Sequence, residues 1–130
     1  MSSLPLEGIR VLELGHIVAG PTAGLILADL GADVIKIEDP SRGGDQSRSN
    51  PTGLATFYFL NRNKRSFAVN LKEPEGKELF LKFAASADVI LDNYAPGVLQ
   101  RLGVDYDRVS EINPLIEHWM MRGLISDTLS

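Results

Sequence analysis

Two short aliphatic runs, at residues 9–14 and 34–37, bracket a segment at 22–30 that is apolar almost all round. A helix that is apolar on every side is packed rather than solvent-facing. Strand, helix and strand within about thirty residues is the size of one parallel crossover unit. Pro21 sits where a first helical residue tolerates a missing N–H, and Gly31 offers the C-terminal stop. Glu38, Asp39 and Pro40 end the second run.

The pattern then repeats. Residues 66–71 read as a third strand. Pro74 opens a helix with Glu73, Glu75 and Glu78 in or beside its first turn, where carboxylates favour the macrodipole. Leu79, Phe80, Phe83, Ala84 and Ala87 share one face of that helix, and residues 89–91 read as a fourth strand. Short helical patterns follow at 98–102 and 106–112. Residues 41–53, rich in Gly, Ser, Asn, Asp and Pro, read as a long surface loop. No element is assigned after Pro114. The alternation predicts an α/β fold: an open, mostly parallel, Rossmann-like sheet with helices on both faces. Ligands of such sheets bind outside the carboxyl ends of the strands. Those ends carry His16, Glu38 and Asp39, then Asn70 to Lys72, and Asp92 to Tyr94.

Composition narrows the function classes. A length of 130 residues with 44% hydrophobic side chains suits a single domain with its own core. The absence of cysteine excludes a disulfide scaffold, a thiolate metal site and a cysteine nucleophile together. His16 and His118 are too far apart to read as a metal pair, so no metal is expected. No run approaches the ~18 apolar residues of a membrane span, and no basic flank precedes an apolar stretch at the N-terminus. A soluble, cytoplasmic protein without membrane partners is the expectation.

Charge is unevenly spread. Arg42, Arg48, Arg62, Lys64, Arg65 and Lys72 face only Asp45 in their window, in a chain of net charge −4. One basic segment in an acidic protein points to a localised anionic ligand rather than to nucleic acid. The first turn, with Gly15 and Gly20, lacks the closely spaced glycines of a dinucleotide fingerprint, and no Walker lysine follows. An NAD-dependent oxidoreductase therefore fits the strand pattern and fails the motif. Glu13, among apolar neighbours, is either a hydrogen-bonded acid or one whose pKa burial raises.

Six blocks occur in order: Leu6-Glu-Gly-Ile-Arg-Val-Leu-Glu-Leu14, Ala19-Gly-Pro21, Leu27-Ala-Asp-Leu-Gly-Ala-Asp-Val-Ile-Lys-Ile-Glu38, Asn61-Arg-Asn-Lys-Arg-Ser66, Leu71-Lys-Glu-Pro-Glu-Gly76 and Ala87-Asp-Val-Ile-Leu-Asp-Asn-Tyr-Ala-Pro-Gly97. Together they resemble the class III CoA-transferases, the formyl-CoA, carnitine and bile-acid CoA-transferase family. The resemblance covers about residues 4–114. It implies the N-terminal, CoA-binding part of a longer subunit that forms interlocked homodimers when complete. Family members move CoA from an acyl-CoA to a small carboxylic acid: an aspartate attacks the thioester, passing through a mixed anhydride to an aspartyl-CoA thioester. Racemases of 2-methylacyl-CoA are similar in this region, so the blocks leave that subtype open.

Carried over residue by residue, the CoA contacts are His16, Ile17 and Ala19 after the first strand, Val69 and Lys72 after the third, and Asn93, Tyr94 and Arg101 after the fourth. Lys72 and Arg101 suit the phosphates of CoA. Tyr94 offers an aromatic face and a hydroxyl, or packs on the helix that follows. Residues 61–65 either help to hold the anionic cofactor or brace the long loop. Two departures stand out. Asp39 occupies a place where many relatives carry arginine, removing one hold on CoA or making it repulsive. After Pro114 the family continues with a strand and, further on, its nucleophilic aspartate. Residues 115–130 instead form a divergent tail in which Asp127 lacks that context. The expectation is a truncated or frameshifted chain with its sheet one strand short, which binds CoA at most and is inactive alone, with no catalytic residue assigned. A non-catalytic CoA-binding or interaction module is the alternative.

Overall fold

The computed structural model describes residues 3–121. Five strands among them, β1 (Arg10–Glu13), β2 (Asp33–Glu38), β3 (Arg65–Ala68), β4 (Val89–Asp92) and β5 (Glu117–Met120), form one sheet in the order β3-β2-β1-β4-β5. Every pairing is parallel. The helices are α1 (Ala19–Asp29), α2 (Pro51–Leu60), α3 (Pro74–Ala84), α4 (Val98–Leu102) and α5 (Tyr106–Ile112). Chain order reverses between β1 and β4, which makes their carboxyl ends the crevice of a doubly wound fold.

Strand alternation assigns the two faces. Leu12, Leu14, Ile35, Ile37 and Ile90 point to one side, where Phe80 and Ala84 of α3, Leu99 of α4 and Val109 of α5 complete an apolar layer. Val11, Val34, Val89 and Leu91 point to the other, against Ala28 and Ala32 at the end of α1. On that second face the next residues along the alternation are Glu13, Lys36 and Glu38, all buried. Asp92, two residues beyond Ile90 on the first face, is buried as well, so both faces carry buried charged groups near the ligand-binding end.

Several boundaries differ from the expectation. The helix read at 22–30 begins at Ala19, with Pro21 inside the first turn, where the missing N–H costs no intrahelical bond. β3 stops at Ala68 because Asn70 turns the chain: its side chain accepts from the Lys72 amide at 3.0 Å and its carbonyl from the Glu73 amide at 3.2 Å. The long loop is shorter than expected. It contains two 3-10 turns, Pro40–Arg42 and Gln46–Ser49, and gives way at Pro51 to α2. Asn50 caps that helix, its side chain accepting from the Gly53 amide at 2.8 Å. The strand expected to be missing is present. β5 extends the sheet beyond β4, with Asp92 opposite Met120. Asp127 lies outside the described residues.

Candidate functional site

A cavity of about 330 Å³ lies at the carboxyl ends of β1 to β4. His16 and Ile17 enter it from the turn after β1, Asp39, Arg42 and Gln46 from the loop after β2, Val69 to Lys72 from the segment after β3, and Tyr94 from the segment after β4. Val98 and Leu102 of α4 close the far side.

The turn after β1 is set by backbone contact. A Cβ on Gly15 would fall 2.7 Å from the Gly20 Cα, and one on Gly20 would fall 2.6 Å from the Gly15 Cα. These two glycines let the end of β1 pass close against the first turn of α1. Asn93 fastens the turn to β4: the His16 amide donates to Asn93 Oδ1 at 2.8 Å, and Asn93 Nδ2 donates to the His16 carbonyl at 3.0 Å. Ile17 then adopts φ 64°, a left-handed conformation in which a β-branched side chain is strained by about 1–3 kcal/mol.

His16 and Tyr94 meet across the switch point, Nε2 lying 2.5 Å from the phenol oxygen. Burial, followed by the charge of Lys36, holds His16 below its ordinary pKa, so the ring is neutral near pH 7. Burial, reinforced by Asp39 and Asp92, pushes the Tyr94 phenol up to about 12. The pair thus forms an uncharged, hydrogen-bonding wall. With the imidazole proton on Nε2, the phenol keeps its own proton for a ligand.

Beneath the turn runs a buried chain of alternating charge. Glu13 and Lys36 are register partners on β1 and β2, 3.1 Å apart. Lys36 also reaches Asp45 at 3.0 Å and the Gly15 carbonyl at 2.7 Å. Lys64 approaches the other Glu13 oxygen at 2.6 Å and donates to the Pro21 carbonyl at 2.8 Å and to Asn61 Oδ1 at 3.0 Å. Gly24 of α1 leaves the space that the Glu13 carboxylate fills. Glu38, next along the same face, takes a bidentate contact from Arg48, both bonds 2.8 Å, and further bonds from the Asp45 amide and the Ser66 hydroxyl. Burial works to raise the Asp45 carboxyl, but hydrogen bonds from the Ser47 hydroxyl and amide, with the Lys36 charge, outweigh it and hold the group at about 2.

This network redistributes the basic segment. Arg48 is spent on Glu38, Arg62 on Asp29, Lys64 on Glu13 and Arg65 on Asp33. Residues 62–65 brace α1, β1 and the start of β2 rather than the long loop. Among the described residues, Arg42 and Lys72 remain as the two cations of the cavity wall. Asp39 is partly answered: its Oδ1 accepts from the Ser41 amide and hydroxyl, and its Oδ2 lies 4.0 Å from Arg42.

Among the expected site residues, His16, Ile17, Val69, Lys72 and Tyr94 line the cavity. Ala19, Asn93 and Arg101 do not. Ala19 starts α1, Asn93 works on the backbone of His16, and Arg101 is exposed on α4 with a guanidinium nitrogen beside Gly97. Gln46 has no signal in the sequence, and Arg42 shows there only as one charge of the basic segment, because the path of their loop is set by the distant contacts of Glu38 and Asp45. His118, also unassigned, lies on β5 with Nε2 2.5 Å from the buried Asp92. Among the described residues, no cluster of three or more His, Asp or Glu that would hold a metal ion occurs, and no helix is long and apolar enough to cross a membrane.

A sequence model of the family described as CoA-transferase family III matches residues 6–123. Human succinyl-CoA:glutarate CoA-transferase is 43% identical over 123 residues, which are 92% of this chain and 28% of the relative. The formyl-CoA:oxalate CoA-transferase of Streptomyces coelicolor is 43% identical over 128 residues, 95% of this chain and 31% of the relative. The crystal structure of a CAIB/BAIF family protein from Brucella suis superposes with a TM-score of 0.83 at 40% identity, over 90% of this chain and 33% of that one. The chain thus spans about a third or less of the length of these relatives.

Proposed function

The chain belongs to the CoA-transferase family III, and from that premise we propose that its cavity binds the nucleotide end of coenzyme A or an acyl-CoA. The intact enzyme would then transfer CoA between carboxylic acids as a cytoplasmic homodimer. The observation that carries this reading is the cavity at the β1/β4 switch point, where Lys72 and Arg42 stand beside a neutral His16–Tyr94 wall. Phosphates call for cations without a buried counter-charge, and the adenine and pantetheine portions of CoA call for apolar walls, which Val69, Leu71 and Val98 supply. Arg101, outside the wall, would meet a long ligand where it leaves the cavity.

The 130 residues bind CoA but do not transfer it in this reading. Transfer needs a carboxylate free to attack a thioester. Among the described residues Asp39 is the aspartate of the cavity wall, and its oxygens are engaged by Ser41 and turned towards Arg42.

Calorimetric titration of the purified chain with CoA tests the proposal. Lys72→Ala and Arg101→Ala should each weaken binding by about 1–3 kcal/mol, the range for a lost hydrogen bond to a charged group. Unchanged affinity in both variants, or preference for NAD over CoA, overturns the assignment. Turnover of acyl-CoA donors with carboxylate acceptors overturns the claim of inactivity.

A further inference from the structure

The cavity is assembled from segments far apart in sequence, and two of them share one buried carboxylate. The turn at 15–18 supplies His16 and Ile17, and the loop at 39–50 supplies Asp39, Arg42, Gly44 and Gln46. Asp45, with its side chain fully buried, lies behind both. Its carboxylate pairs with Lys36 at 3.0 Å, accepts the Ile17 amide at 3.3 and 3.4 Å, and takes the Ser47 amide and hydroxyl at 2.9 and 2.5 Å. It thus touches the sheet, the strained residue of the turn and its own loop.

Other contacts leave this role to Asp45. Glu38 ties the loop to β2 through the Asp45 amide and Arg48, but it makes no contact with the turn. Asn93 ties the turn to β4 through His16, but it does not reach the loop. A left-handed β-branched residue persists only where its surroundings over-determine it. Among the described residues, the strained Ile17 amide donates to the two carboxylate oxygens of Asp45 and to no other group.

We infer that Asp45 is a positioning residue for ligand binding: anchored on Lys36, it holds Ile17 left-handed and fixes the turn against the loop, which sets the width of the cavity. The inference rests on the CoA reading for its ligand, and on the geometry alone for its mechanism.

The experiment therefore has a ligand arm and a ligand-free arm. Asp45→Asn keeps acceptor and shape but removes the charge, leaving the buried chain with two lysines against Glu13. The double variant Asp45→Asn with Lys36→Met restores charge balance through Glu13 and Lys64. In the ligand arm, Asp45→Asn should bind CoA about tenfold more weakly. The double variant should recover the parent's melting temperature without recovering its affinity. If the double variant recovers both, Asp45 only balances charge and the inference is overturned; parental affinity in Asp45→Asn overturns it as well. In the ligand-free arm, hydrogen exchange should quicken in residues 15–18 and 39–50 of both variants while β1 and β4 keep their protection. Unchanged exchange there overturns the inference whatever the ligand. Should the parent fail to bind CoA, the proposed function falls and the exchange arm still decides the role of Asp45.

Discussion

Glu13 and Lys64 offer the sharpest test of how this fold tolerates charge in its interior. The Glu13 side chain is fully buried and the Lys64 side chain is 2% exposed, with 2.6 Å between their charged atoms. Lys64→Met leaves Glu13 with Lys36 and one oxygen without a counter-charge. Glu13→Gln leaves Lys64 facing only neutral acceptors, Pro21 and Asn61. Breaking a buried pair from one side costs about 3–5 kcal/mol, because the remaining charge is uncompensated. For a chain of this length each kcal/mol moves the melting temperature by about 3–4 °C, so either single variant should melt on the order of 10 °C or more below the parent. The double variant removes both charges and leaves Lys36 on Asp45. Replacing a buried pair with neutral groups is often neutral or better, so the double variant should return to within about 1–2 kcal/mol of the parent. Urea unfolding of all four proteins closes the cycle. If the double variant loses the sum of the two single losses, the residues act independently and the charge-chain argument is wrong. A second signature follows from Lys64, whose pKa burial lowers from the usual lysine value. The unfolded chain binds that proton more tightly, so the parent gains stability as pH rises through the folded pKa towards that of free lysine. Lys64→Met should lack this alkaline gain.

Acid should act in part through Asp45. Its carboxyl lies at about 2 in the fold against an ordinary 3.8, so its contribution of about 2 kcal/mol is complete above pH 4 and is lost as pH falls from there through 2. Asp45→Asn should flatten the stability profile in that window, and an unchanged acid limb in pH-dependent urea titrations would refute the assignment. At β5, His118→Ala removes the partner of Asp92 Oδ2 on a residue only 1% exposed and leaves Oδ1 on the Tyr94 amide. A loss of about 1–3 kcal/mol is expected for the unsatisfied acceptor, read by thermal melting. A variant that melts with the parent would show that water reaches Asp92.

How much of this was legible depends on where each residue's partner lies in the chain. The strands β1, β2 and β4 and the helices α3, α4 and α5 announce themselves because their signals are local: aliphatic runs, helical spacing, a proline and acids at a first turn. Helix α2 does not. Phe57 to Leu60 is an unbroken apolar run of which only Phe57 and Leu60 are buried, with Tyr58 and Phe59 68% and 65% exposed. No period survives in such a run, and the readable signal was the Asn50–Pro51 cap. β5 was hidden for a related reason. Its exposed Trp119 and Met120 and its half-buried His118 give no alternation, and the sheet edge alone makes it a strand.

The basic segment shows the same limit on the side of function. Counted along the sequence, Arg48, Arg62, Lys64 and Arg65 look like one patch awaiting an anion. In the fold each meets its own carboxylate, and the partners lie 10, 33, 51 and 32 residues away. Glu13 is the clearest instance. In its strand it reads as one acid among aliphatics, and nothing nearby shows that two lysines converge on it. Glu13 and Lys36 can be paired only once the parallel register of β1 and β2 is known, and Lys64 only once α2 has carried the chain back past α1. A net charge per window therefore overstates what is free for a ligand wherever a sheet face carries buried acids. Among the described residues, the two cations that do face the cavity, Arg42 and Lys72, stand at the ends of the basic segment. Those ends are where the chain leaves the carboxyl end of β2 and where it leaves that of β3, the edge at which a parallel sheet exposes its ligands.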